Sequence, residues 1–204
     1  LVLVARDEAR LADVAGELAA AHGVRVETLA ADLSERADAE RVVARVADGG
    51  RPVEVLVNNA GFSVGATLLS DDLDKHDRAA EVMMRSVLVL QAAAGRVMRS
   101  RGHGTIINVA SVAAFVTQGH YSAIKAYVVS LTESLAVELA GSGVRVCALC
   151  PGYVRTEFHE RAGISGSSIP GPLWLDADAL VAQCLRDVER GRVVSVPQLR
   201  WRAI

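Results

Sequence analysis

The chain has 204 residues, 51% apolar and 23% charged, with a formal net charge of −2, which suits one globular domain with a substantial core. Lysines and arginines are scattered rather than clustered, so a nucleic-acid footprint is not expected. No apolar run approaches the ~18 residues needed to span a bilayer, and a cytoplasmic protein is the expectation.

The sequence opens on an apolar run, Leu1 to Val4, too short and too uniform for an amphipathic helix and suited to a parallel strand. A helix is predicted from Asp7 to Ala21, with Leu11, Val14, Ala15 and Leu18 at helical spacing and Gly23 ending it. A second strand, Val24 to Ala30, leads to Asp32, and a polar helix covers Arg36 to Ala47. Val53 to Val57 is a third strand, stopping at Asn58-Asn59-Ala60-Gly61. A long helix, Leu73 to Arg99, is expected to break or bend near its start. Then come a strand at Thr105 to Val109, a helix at Tyr121 to Ala140 and a strand at Val144 to Leu149 that ends at Pro151-Gly152. The Gly-, Ser- and Pro-rich stretch Ala162 to Pro172 reads as a mobile loop. A last helix, Asp176 to Arg190, and a last strand, Arg192 to Val196, follow.

Strands and helices alternate throughout, which predicts an α/β fold with a doubly wound parallel sheet and right-handed crossovers. In such sheets ligands gather at the carboxyl ends of the strands. Cys147 and Cys150 form a C-x-x-C within or beside a strand. Residues three apart on a strand point to opposite faces, so two small core residues are expected there and no metal site.

The chemistry-bearing residues lie just after the predicted strands. Tyr121 and Lys125 are four apart and so share one face of a helix. A cation beside a phenol stabilises the phenolate and lowers its pKa, which makes Tyr121 a candidate proton donor or acceptor. Alone, the pair fits a half-buried tyrosine and a surface lysine better. Ser111 follows the Thr105 to Val109 strand, where its hydroxyl can bond a carbonyl oxygen, or simply cap a turn. Asn58 to Gly61 offer amides and a glycine that permits close approach, or an ordinary strand-to-helix turn. Pro151-Gly152 close a further strand, with Thr156 four residues beyond Gly152.

Taken in order and spacing, Asn58-Asn59-Ala60-Gly61, Ile106 to Ser111, the Tyr121 and Lys125 pair, and Pro151-Gly152 through Thr156 resemble the short-chain dehydrogenase/reductase family, from Leu1 to about Pro197. The resemblance implies a Rossmann-like, three-layer α/β/α domain. It also implies that Tyr121 is the general acid/base, that Ser111 orients the carbonyl or alcohol, and that Lys125 tunes the tyrosine and holds the nicotinamide ribose. Asn58, Asn59, Ala60 and Gly61 would line the adenosine ribose side of the cofactor, and Asp32 and Leu33 would flank the adenine. Pro151, Gly152, Val154 and Thr156 would contact the nicotinamide end. Hydride would pass directly between cofactor and substrate carbon, so no metal is expected. NAD-preferring relatives commonly place an acid at the end of the first strand here; this chain has Ala5 there, followed by Arg6. A guanidinium can bind a 2′-phosphate, so NADP is favoured over NAD, unless Arg6 merely pairs with a surface acid such as Glu8.

The sequence departs from the family pattern in several places. It opens one strand late, without the glycine-rich loop that cradles the pyrophosphate. The expectation is therefore an N-terminally truncated member, one domain over residues 1–204 lacking its first βα unit. The absent strand would lie between Leu1–Val4 and Val53–Val57, leaving two half-sheets. Met83 stands where many relatives place an asparagine that completes a proton relay with the lysine. Ser111 and Tyr121 are ten residues apart, a few fewer than usual. A substrate-covering loop over residues 158–175 carries Ile164, Ile169, Leu173 and Trp174, which suggests an apolar carbonyl or alcohol substrate, although Trp174 would serve equally as an anchor for the last helix. A homodimer or homotetramer is expected, paired through the helices Leu73 to Arg99 and Tyr121 to Ala140. The alternative is a catalytically inactive truncated member that serves as an oligomerisation or partner-binding domain.

Overall fold

A computed structural model describes residues 1–156 and 170–197, and the chain falls into two compact units, Leu1–Pro52 and Val53–Ile204. In the first, β1 (Val2–Ala5) pairs in parallel with β2 (Glu27–Ala30), in register from Val2 opposite Glu27 to Ala5 opposite Ala30. Between them runs α1 (Glu8–His22), and α2 (Arg36–Val46) follows β2. Asp7 caps α1 by accepting from the Arg10 amide, and Gly23 ends it in the left-handed region that glycine adopts without cost. Ala39, Val42 and Val46 form the buried stripe of α2, while its Arg45 binds Glu27 of β2 at 2.9 Å.

The second unit holds β3 (Val55–Asn58), α3 (Asp74–Ala80), α4 (Ser86–Arg101), β4 (Gly104–Val109), α5 (Gly119–Glu138) and β5 (Val144–Leu149), then β6 (Tyr153–Val154), β7 (Trp174–Leu175), α6 (Ala177–Glu189) and β8 (Val194–Ser195). Its main sheet runs β3-β4-β5-β8, every neighbour parallel, and β6 and β7 make a separate parallel ribbon. The parallel α/β architecture is the one the alternation predicts. The strands lie in separate sheets, β1-β2 in the first unit and β3-β4-β5-β8 in the second.

Two local features aim the site. The predicted long helix is interrupted by a π-helical turn, Glu81–Arg85, between α3 and α4. Such turns shift the helical register and concentrate at functional sites; this one carries Met83 into the interior. At the base of the sheet, Gly143 (φ 79°) leads into β5 so close to the turn after α4 that a Cβ there would run into the Gly102 carbonyl oxygen.

The core packs on both faces of β5. Cys147 and Leu149 join Ile107, Cys184 and Val188 on one face, and Ala148 and Cys150 join Ala110, Val128 and Val129 on the other. The C-x-x-C sulfurs therefore point apart, as strand geometry requires. Most of the loop expected at 162–172 and of the segment 158–175 lies outside the described residues, with Ile164 and Ile169 in it. Its described end is regular: a 3-10 turn (Gly171–Leu173) followed by β7.

Candidate active site

β4 and β5 end side by side, and the residues that follow them meet the first turns of α5. Ser111 caps a 3-10 turn, Val112–Phe115, by accepting from the Ala113 amide at 3.1 Å. Its hydroxyl also lies 3.5 Å from the Pro151 carbonyl and hydrogen-bonds the phenol of Tyr121. Capping and placement beside Tyr121 thus coexist in one side chain.

Tyr121 and Lys125 share the buried side of α5, the ammonium 5.5 Å from the ring centroid. Lys125 is 4% exposed and donates to the Val109 carbonyl at 2.8 Å, which ties it to the end of β4. The proximity of the two residues predicts a lowered phenol pKa. The structure shows the opposite balance: burial pushes Tyr121 up to about 12, and the Ser111 hydrogen bond offsets this only in part. Burial likewise pushes Lys125 down to about 8, partly countered by the Cys150 sulfur beside it. A buried ion over a ring face loses more hydration than the contact returns. At neutral pH the phenol therefore keeps its proton, and the ammonium remains mostly charged.

Met83 of the π turn approaches the same lysine beside Gly61. A Cβ on Gly61 would come within 3.2 Å of the Met83 sulfur and 3.7 Å of Lys125 Nζ, so the three residues converge. Glycine at 61 keeps that approach open, and the thioether brings a weak acceptor and no proton.

Asn58 behaves differently from Asn59, Ala60 and Gly61. Those three are exposed at the end of β3, but the Asn58 amide turns inward and donates to Asn108 Oδ1 at 2.8 Å. Asn108, fully buried, donates in turn to Gln91 Oε1 at 2.7 Å and Thr132 Oγ1 at 2.9 Å. Thr132 donates its hydroxyl hydrogen bond to the Val128 carbonyl at 2.6 Å. This network binds β3, α4, β4 and α5 together beneath the site. Sequence reading included Asn108 in the Ile106 to Ser111 motif without giving it a role, and missed Gln91 and Thr132; an asparagine between Ile107 and Val109 in an otherwise apolar strand is the signal that points to the network.

Pro151, Gly152 and Val154 are half-buried and Thr156 is exposed. Val154 packs against the Ile107 and Cys147 core, and β6 pairs it with Leu175. Leu173 packs on the same core. Trp174 lies against Tyr153 with ring centroids 6.0 Å apart, and Arg155 stacks 5.7 Å from the indole. Both side chains are thus anchored by packing.

In the first unit Arg6 pairs with Asp32 rather than Glu8, at 3.7 Å and with 66% of its side chain exposed. Asp32 also accepts from the Ser34 amide and hydroxyl, at 2.9 and 2.6 Å, and Leu33 is half-buried beside it. An ion pair that long and exposed is weak, so the guanidinium retains donors for an anion. Lys125 likewise carries ammonium hydrogens beyond the one given to Val109. Arg6, in its own unit, is suited to a phosphate, and Lys125, in the other, to a hydroxyl oxygen.

A family model described as short chain dehydrogenase matches residues 1–164, and the chain belongs to that family of oxidoreductases. Galactitol 2-dehydrogenase (L-tagatose-forming) of Cereibacter sphaeroides is 37% identical over 163 residues, 78% of this chain and 63% of that protein. A short-chain dehydrogenase from Sphingobium yanoikuyae, solved in complex with NADPH, superposes with a TM-score of 0.90 at 35% identity, covering all of this chain and 81% of that one. The bulky-bulky ketone specific alcohol dehydrogenase of Comamonas testosteroni superposes at 0.86 and 28% identity, over all of this chain and 79% of that one. The chain spans 63% to 68% of the length of several curated relatives it matches.

Proposed function

We propose that the protein transfers hydride between NADP(H) and a carbonyl/alcohol pair, with Tyr121 exchanging the substrate proton. The observation that carries this reading is the meeting of Ser111, Tyr121 and Lys125 at the ends of β4 and β5. The nicotinamide cofactor, when bound, supplies or accepts the hydride. Ser111 donates a hydrogen bond to the substrate oxygen, which stabilises the charge that develops there. Tyr121, protonated at neutral pH, gives its proton to that oxygen during reduction and takes it back during oxidation. Lys125 holds a positive charge beside the phenol and offers its remaining donors to the nicotinamide ribose. Met83 offers no second relay, so proton resupply falls to Lys125 and solvent.

Several assignments follow from the family resemblance: Asn59, Ala60 and Gly61 at the adenosine ribose, Asp32 and Leu33 at the adenine, and Pro151, Gly152, Val154 and Thr156 at the nicotinamide. Asn58 holds that turn through Asn108. Arg6 favours NADP through the cofactor's 2′-phosphate, a preference supported by the relative solved with NADPH. Phe115 and Val116, exposed between Ser111 and Tyr121, support an apolar substrate. Leu88 of α4 and Val137 of α5 are exposed apolar side chains that support pairing of these helices in a homodimer or homotetramer. No helix among the described residues is long and apolar enough to cross a membrane, and a cytoplasmic location is proposed.

Fluorescence titration with NADPH and NADH tests the cofactor assignment. Saturable binding with NADPH preferred at least tenfold is expected; equal affinity for the two, or no binding of either, overturns it.

A further inference from the structure

Resting on the proposed role of Tyr121, we infer that His76 and His120 form an imidazole–imidazole tie that positions Tyr121 for proton exchange. The first turn of α5 needs such a tie. Gln118, at its N-cap, makes no side-chain cap bond, and Gly119 enters the helix with φ 69°. Ser122 holds the turn locally, accepting from the Gln118 amide at 3.2 Å. Tyr121 sits in this turn, directly after His120.

His76, on α3 and 7% exposed, brings its Nδ1 within 2.8 Å of His120 Nδ1, and its Nε2 within 3.0 Å of the Thr67 carbonyl. The ring centroids are 4.9 Å apart at a tilt of 43°. These contacts fix the protons. A carbonyl oxygen only accepts, so His76 Nε2 carries hydrogen, and neutral His76 then has a bare Nδ1. The bond to His120 therefore requires that His120 Nδ1 be the donor. The chain of contacts runs from Thr67, in the loop after β3, through His76 and His120 to the turn that presents the phenol.

The surroundings of His120 favour its neutral ring. Burial and the neighbouring His76 hold His120 below the usual histidine range, while Asp77 of α3 opposes this. The Val112–Phe115 turn packed on α5 has no titratable side chain, and Glu81 and Arg85 of the π turn pair with each other at 3.8 Å. His76 and His120 are positioning residues, because neither needs to touch substrate.

The test compares His120→Asn, whose side-chain amide can donate from near the Nδ1 position, with His120→Phe, which cannot donate. Imidazole 15N shifts at pH 7.5 should show hydrogen on His76 Nε2 and on His120 Nδ1. His120→Phe should lower kcat at least tenfold with the NADPH Kd unchanged within twofold, and His120→Asn should stay within threefold of the parent. Independently of turnover, 13Cζ titration of Tyr121 should move by at least half a pH unit in His120→Phe and stay in place in His120→Asn. Hydrogen on His76 Nδ1, parental behaviour of His120→Phe in both the titration and kcat, or equal losses in the two variants would overturn the tie. If the parent turns over no carbonyl or alcohol, the proposed reaction fails, while the 15N shifts and the Tyr121 titration still decide the tie.

Discussion

Replacing Asn108 by leucine removes the hub of the buried network beneath the site while roughly keeping the volume. Asn108 Oδ1 accepts from Asn58, and its Nδ2 donates to Gln91 and Thr132. Thr132 keeps its own donation to Val128, but Asn58 Nδ2 and Gln91 Oε1 lose these partners, and both residues are buried. Each buried group left unsatisfied costs about 1–3 kcal/mol, so Asn108→Leu should destabilise the chain by roughly 2–6 kcal/mol, a large share of a typical domain's stability. Urea unfolding followed by circular dichroism measures it, as a fall in the midpoint at a constant slope. Asn108→Asp adds a signed pH test. Its carboxyl would face the Gln91 oxygen in a buried site, which favours the protonated form and raises its native pKa. A raised pKa gives stability that is present below the unfolded value of about 4 and lost as pH rises through the native value. Asn108→Asp should therefore be closer to the parent at pH 4 than at pH 7. A loss below ~1 kcal/mol in Asn108→Leu would refute the reasoning, because it would mean that the network is replaceable by packing alone.

Lys125 gives a second pH signature. Its native pKa is lowered from 10.5 to about 8, so its contribution is present above the unfolded value and lost as pH falls through about 8. Relative to Lys125→Met, the parent should gain up to about 3 kcal/mol in stability between pH 8 and 10.5; a flat difference over that window contradicts the buried, poorly hydrated ammonium. Gly143→Ala must place a Cβ against the Gly102 carbonyl in a left-handed backbone, and should cost more than ~1 kcal/mol in the same urea assay. Arg6→Glu should reverse the NADPH preference in fluorescence titration by replacing a phosphate-binding cation with a repelling anion; an unchanged NADPH-to-NADH affinity ratio would remove Arg6 from cofactor selection.

Periodicity and breakers were enough to place most of the elements, because buried parallel strands and capped helices leave local signals. Asp7, Gly23 and Asp176 mark helix ends that the structure reproduces within a residue or two. The bend in the long helix was legible, but its form, a π turn carrying Met83 inward, depends on packing. β2 starts at Glu27 rather than Val24 because its pairing with β1 begins at Val2 opposite Glu27. The short strands β6 and β7 have no periodic signal; Tyr153 and Trp174 make them by meeting across a long stretch of sequence. In the site, strand ends and the four-residue spacing of Tyr121 and Lys125 brought the central trio together. What stayed hidden is non-local: the inward turn of Asn58, the His76–His120 contact, and the dominance of burial over the Lys125 charge at Tyr121.

The central claim, that Tyr121 is the proton donor of a hydride-transfer site, is tested most directly by Tyr121→Phe assayed alongside the parent. NADPH oxidation is followed against a panel of apolar ketones, with NADPH binding measured in parallel. The account predicts turnover in the parent, a loss of at least about a hundredfold in kcat for the variant, and an NADPH Kd within a few-fold of the parent. Turnover retained in Tyr121→Phe would contradict it.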